Sequence, residues 1–141
     1  MDTAGTVVDL IGGSRAWAGG PRELHKRGLR VLKYSAVEAL GRVLEESPDQ
    51  LLEVIYVTGR TAQRRVQTQE LSAEESDRLL RVATLTRRAI DVFGGEAKAR
   101  TWLKRANRSL DGRRPLDLLG SELESLEVEA ALTRIEFGDF A

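Results

Sequence analysis

The stretch Ser72–Gly95, SAEESDRLLRVATLTRRAIDVFGG, decides the fold. Ser72 followed three residues later by Glu75 has capping-box spacing: the hydroxyl accepts from the Glu75 backbone N–H while the Glu75 side chain reaches back. Losing such a cap costs about 1 kcal/mol. Leu79, Val82, Ala83, Thr86, Ala89, Ile90 and Phe93 then recur at three- and four-residue steps, which puts them on one buried helical stripe. Gly94 and Gly95 stop the helix, because glycine accepts the left-handed backbone of a C-cap. Arg78, Arg81, Arg87 and Arg88 fall between the apolar positions and read as a solvated face. The spacing therefore predicts a long helix joining two modules.

Upstream the period is also helical. Leu29, Leu32, Ala36, Leu40, Val43 and Leu44 share a face, and Ser47, Pro48 and Gln50 supply an N-cap, a first-turn proline and a capping-box partner for a short helix with Leu51, Leu52 and Ile55. Thr58 can cap the next helix, whose first two turns hold Arg60, Thr61, Gln63, Arg64 and Arg65. Arginines at a helix N-terminus oppose its macrodipole, so stability alone does not explain them. In a helix-turn-helix that end of the second helix enters the major groove, where Arg reads guanine and Gln reads adenine. The other reading is an exposed basic helix without a ligand. Gly12, Gly13, Gly19, Gly20 and Pro21 break the first stretch, so residues 1–22 are expected to be a loosely ordered lead with an apolar piece at Thr6–Ile11.

Downstream, Ala99, Trp102, Leu103 and Ala106 define the face of a short helix, with Trp102 read as core. In the turn-rich connection that follows, Gly112 permits positive φ and Pro115 starts a helical turn. Ser121 and Glu124 repeat the capping-box spacing, and Val128, Ala131, Leu132 and Ile135 line a final helix that ends near Gly138.

Composition excludes several classes of function. The 141 residues can bury one real core or two small helical ones, and 22 basic against 22 acidic residues give no global attraction to a polyanion. Charge is nevertheless uneven: residues 78–116 carry eleven basic and three acidic side chains, residues 117–141 one and seven. That asymmetry reads either as a polarised surface or as faces that compensate one another. There is no cysteine, no basic region ahead of an apolar run at the start, and no stretch near the roughly 20 apolar residues of a membrane span, which reads as a cytoplasmic chain. The single histidine, His25, lies in a basic segment without a ligand or triad pattern, and Glu74 and Glu75 are explained by a helix start. No phosphate-binding or dinucleotide fingerprint is present. No catalytic residue, metal site or cofactor is expected.

The motifs ELSAEESDRLLRVATL, AIDVFGG, A..WL...N..L.G..P.DLL and V...L.RIEFG, in that order over residues 71–138, resemble the Xre/MbcA/ParS antitoxin family. TGRTAQRR is similar, more loosely, to the helix-turn-helix of such proteins. The chain departs from the family pattern at Ala106, Ser121 and Ser125, and in IYVTG, where the glycine follows the turn. The resemblance implies an all-α protein: an Xre-like helix-turn-helix domain over residues 23–70, used for dimerisation and operator binding, then a toxin-binding domain over residues 71–141. Its implied partner is a RES-domain toxin that consumes NAD. The C-terminal end would lie at the mouth of the toxin's pocket, which assigns Arg134, Glu136, Phe137, Gly138, Asp139 and Phe140 to toxin binding and Arg60, Thr61, Gln63, Arg64 and Arg65 to operator DNA. Glu136 or Asp139 would meet basic groups that otherwise hold NAD phosphates. For Phe137 and Phe140 the plain alternative is end-of-helix packing. The competing function is a stand-alone dimeric repressor whose C-terminal domain only dimerises.

Overall fold

The computed structural model describes residues 3–18 and 31–138. Their α-helices are α1 Thr3–Leu10, α2 Tyr34–Leu44, α3 Pro48–Val54, α4 Gly59–Thr68, α5 Ala73–Phe93, α6 Glu96–Lys104 and α7 Glu122–Glu136, with 3₁₀ turns at Gly13–Ala16, Arg108–Leu110 and Pro115–Leu118. Among the described residues there is no β-strand, only isolated antiparallel bridges. The fold is all-α.

Helix α5 is the axis of the molecule. Its capping box is complete: the Ser72 hydroxyl accepts from the Glu75 N–H at 3.2 Å, and the Glu75 carboxylate accepts from the Ser72 N–H at 2.9 Å. It runs 21 residues, about 32 Å at the α-helical rise, and stops at Gly94, whose φ of 79° is the left-handed value. Helices α1, α6 and α7 all pack on it. Because they approach from several sides, Ser76 and Leu85 are buried along with Leu79, Val82, Ala83, Thr86, Ala89 and Ile90. The core is continuous from Leu10 to Leu132 and crosses the junction at residues 70–71 without interruption.

One polar device and one close backbone approach tie the N-terminal helices to the C-terminal ones. The last carbonyls of α2 have no partner within their helix, and α6 supplies it: Arg100 donates to the Val43 carbonyl at 2.8 Å, and Lys104 to those of Leu44 and Glu45 at 3.1 and 2.8 Å. Gly120, just before α7, passes so close to α3 that an added Cβ would lie 1.9 Å from the Val54 carbonyl oxygen. Arg81 donates to the Gly120 carbonyl at 3.0 Å from the other side.

The structure corrects three readings. The lead over residues 1–22 is ordered in its described part: Leu10, Ile11 and Ala16 are buried, and Gly12 and Gly13, at φ 98° and 80°, turn the chain instead of merely breaking it. Val7, Leu10 and Ile11 at helical spacing give this segment an apolar face to pack against the core. Residues 19–30, with His25 and Leu29, lie outside the described residues. Second, the arginines of α5 are cross-braces more than a solvated face, with Arg78 and Arg88 joining Arg81 in reaching neighbouring elements. Third, Trp102 is half-buried, not fully core, and Ala106 is exposed beyond the end of α6. The uneven charge is compensated in part across the boundary that separates it. Arg113 pairs with Glu124 and Glu127 at 2.9 and 3.1 Å, Arg114 with Asp117 at 2.8 Å, and Arg88 with Glu136 at 2.9 Å.

Candidate functional site

Two surfaces carry the residues that the sequence marks for binding, one on α4 and one on α7. The first is built by α3 and α4. Ser47 and Gln50 close a full capping box on α3, and the turn to α4 passes through Tyr56 at φ 63°. A tyrosine thus takes the left-handed position that glycine occupies most easily. The glycine after it is used as well, since Gly59 opens α4 at φ 59°. Thr58 occupies the N-cap position of α4, but its side chain makes no capping hydrogen bond.

No residue of α4 is buried. The helix is held at its far end by backbone bonds from Tyr34 to Gln69 and from Leu71 to Leu32, and along its length by Arg65. The Arg65 guanidinium donates to both oxygens of Glu75, at 2.6 and 3.0 Å, with side chains only 18% and 9% exposed. Glu75 therefore serves two elements at once, closing the cap of α5 and gripping α4. Burial pushes its carboxyl up, but hydrogen bonds from Arg65 and from the Ser72 backbone, with the guanidinium charge, outweigh burial and hold it below the ordinary value. The same hydrogen bond raises the Arg65 pKa.

Of the five residues that the sequence marks for DNA, Arg65 and Thr61 do not stand free on the outer face of α4. The bidentate donors of Arg65 are occupied inside the fold, and Thr61 is half-buried at the side of the helix. The outward face of α4 instead carries Arg60, Gln63, Arg64 and Gln67, at i, i+3, i+4 and i+7, all exposed. Gln67 was not legible as a member until the face was fixed, although its helical spacing from Arg60 and Gln63 is the signal that would have found it. Helix α3 carries no Lys or Arg, and its Asp49 and Glu53 line a groove against Ala62, Gln63 and Val66 of α4, so Gln63 stands at the border between that groove and the outer face.

The second surface is α7. Ser121 caps it by accepting from the Glu124 N–H at 3.1 Å, but the box stays half-formed because the Glu124 carboxylate is drawn to Arg113. Val128, Ala131 and Leu132 face the core, with Ile135 half-buried behind them. The opposite face is apolar too: Leu123 is 77% exposed, Leu126 56% and Phe137 77%, with exposed Ala130 between them. On a 100° wheel these four fall in one stripe about 21 Å long, bordered by exposed Thr133 and Arg134. An α-helix apolar on two opposite faces has one face too many for the core it sits on.

The sequence-marked toxin residues divide over this surface. Phe137 and Arg134 are exposed, and Gly138 is exposed at φ 69°. Glu136 does not stand free: Arg88 donates to it at 2.9 Å and to the Thr133 hydroxyl at 2.9 Å, which pins the end of α7 to α5. Asp139 and Phe140 lie outside the described residues. Leu123, Leu126 and Ala130 were missed, and their signal was the second apolar period running along α7. Among the described residues no group of His, Asp or Glu is arranged to hold a metal ion, every buried side-chain polar atom has a partner, and no helix is long and apolar enough to cross a membrane.

Both surfaces coincide with known sequence families. Residues 24–84 match the antitoxin Xre-like helix-turn-helix domain, and residues 88–138 match the antitoxin Xre/MbcA/ParS C-terminal toxin-binding domain. The chain is 36% identical over 80 residues to Antitoxin Xre of Pseudomonas putida, covering 56% of this chain and 50% of that protein. It is 34% identical over 94 residues to Antitoxin Xre of Yersinia enterocolitica, covering 63% and 64%, and 36% identical over 70 residues to that of Photorhabdus laumondii, covering 49% and 47%. The matches thus span about half to two thirds of the length of these relatives. With the two domains matched in order along one all-α chain, this protein belongs to the Xre/MbcA/ParS antitoxin family, a family of antitoxins and not of enzymes.

Proposed function

We propose that this chain is a cytoplasmic antitoxin that binds an NAD-consuming RES-domain toxin through α7 and occludes its active site. The observation that carries this reading is the exposed apolar stripe Leu123, Leu126, Ala130 and Phe137, inside the segment matched by the toxin-binding family. Desolvating such side chains against a partner is what concentrates binding energy at an interface. Arg134 at the border orients the partner by charge. Glu136 anchors α7 in the free chain through Arg88, so a cation of the toxin would have to displace that arginine to pair with it.

The same reading includes operator binding as a homodimer over residues 23–70, with α4 in the major groove. Arg60, Gln63, Arg64 and Gln67 form one row of uncommitted donors on its outer face, the chemistry that base edges and phosphates require. Two copies are needed because helix-turn-helix proteins bind half-sites about one helical turn apart.

The test is co-purification with the product of the neighbouring gene, for the full chain, for a version ending before Glu136, and for the Leu126→Asp, Phe137→Asp double variant, followed by an NAD-consumption assay on each complex. The full chain is expected to associate and silence NAD loss while the double variant does neither. If the double variant inhibits as well as the parent, α7 is not the docking face. If no form associates with an NAD-consuming protein, the stand-alone repressor replaces the antitoxin reading.

A further inference from the structure

An apolar recess lies where α5 ends and α6 begins. Phe93 and Trp102 meet with ring centroids 5.5 Å apart and planes inclined by 41°, and both rings are only half-buried. Their outer sides, with exposed Ala97 and Thr101, line a shallow groove of about 410 Å³. Its rim carries Lys98 and Arg105, seven positions apart and therefore about 10 Å apart along the helix.

Charge sets this groove apart. The recess between α3 and α4 is lined by Asp49 and Glu53, and the one beside Tyr56 by Glu74, Asp77 and Glu122, whereas the Phe93–Trp102 groove has no carboxylate on its lining. The cations that flank it on α5 and α6 are paired with carboxylates of the chain: Arg87 with Asp91, Arg100 with Glu45, Lys104 with Glu46. The side chains of Lys98 and Arg105 have no ion pair or hydrogen bond among the described residues, and both are exposed. Their desolvation is thus left to whatever enters the groove.

From this we infer that the groove is a docking site for a short acidic segment of a partner protein, one apolar or aromatic side chain of which enters between Phe93, Ala97 and Trp102 while flanking carboxylates pair with Lys98 and Arg105. An aromatic–aromatic contact inside an apolar slot adds to what burial alone gives, and two cations spaced along one helix select acidic over basic segments. The site is separate from the α7 stripe and stands whether or not that stripe binds a toxin.

The test is a ¹⁵N-resolved NMR titration of the full chain with three synthetic peptides, Asp-Glu-Phe-Asp-Glu, the same peptide with Ala for Phe, and Lys-Lys-Phe-Lys-Lys, each up to about 1 mM, a weak-binding limit. The acidic aromatic peptide is expected to give saturable shifts at the Trp102 indole and at the Ala97 and Thr101 amides, and the other two to give at least about tenfold weaker ones. The Lys98→Glu, Arg105→Glu double variant should abolish those shifts while keeping the parent spectrum elsewhere, as both side chains are exposed. No saturable shift at these positions, or equal shifts with the basic peptide, overturns the proposal. Concentration-dependent shifts at the same residues without peptide would mean that the groove is a contact between copies of this chain, which overturns it too.

Discussion

Replacing Glu75 with alanine severs two elements at one point. The change removes a bidentate ion pair to Arg65, at 2.6 and 3.0 Å, and the acceptor for the Ser72 N–H. Side chains 18% and 9% exposed lie between the surface limit for an ion pair, about 0.2–1 kcal/mol, and the buried limit, about 3–5 kcal/mol. A value near 2 kcal/mol follows for the pair, and the lost hydrogen bond from the Ser72 N–H adds about 1 kcal/mol while the Ser72 hydroxyl still caps the helix. For 141 residues the unfolding entropy is about 0.3 kcal/mol per K, so a loss of about 3 kcal/mol lowers Tm by about 10 °C. Arg65→Ala keeps the cap and should cost about 2 kcal/mol, and the double variant should cost little more than Glu75→Ala. The pH dependence has a definite sign. Glu75 is held below its ordinary 4.5, so its contribution is present above that value and disappears as pH falls through the lowered one. Urea unfolding of the four proteins at neutral pH and near pH 3 measures all of this. A coupling energy below about 0.5 kcal/mol at neutral pH, or a parent whose advantage over Arg65→Ala does not shrink in acid, would refute the reasoning.

Gly120→Ala sets a Cβ 1.9 Å from the Val54 carbonyl oxygen, a backbone atom that cannot swing aside, and should destabilise by more than about 3 kcal/mol in urea titrations, with Gly41→Ala, 2.7 Å from the Glu46 carbonyl oxygen, affected less. If α4 binds operator DNA as proposed, Arg60→Ala and Arg64→Ala should each lower the salt dependence of that affinity by close to one phosphate contact, a log–log slope change of about 0.9, with Tm unchanged because both are exposed. Arg88→Ala releases Glu136 and Thr133 and should loosen the end of α7, read as faster amide exchange over residues 133–138 and none elsewhere. Leu79→Ala, at a fully buried position of α5, should cost about 3–5 kcal/mol.

The sequence by itself determined where helices start and stop, and which of their faces go inward. Ser47, Ser72 and Ser121 cap as their spacing requires, Gly94 ends α5, Gly112 takes positive φ, and Val128, Ala131 and Leu132 reach the core. Those features depend on residues within about one turn of each other, so the local string contains them. The family resemblance was legible for the same reason, being carried by turn residues and apolar steps in order. Tertiary structure alone decided the fate of the charges and of the second face of α7. Arg65 and Glu75 are ten residues apart, Arg88 and Glu136 forty-eight, and nothing within one turn of either arginine announces its partner. Whether an arginine reads a ligand or braces a helix is settled by which carboxylate the packing brings to it. The exposed row on α7 was present in the sequence as an apolar period, but a period names a face without saying what covers it. Coverage follows from where α5 lies, and α5 lies against the side of Val128 and Leu132.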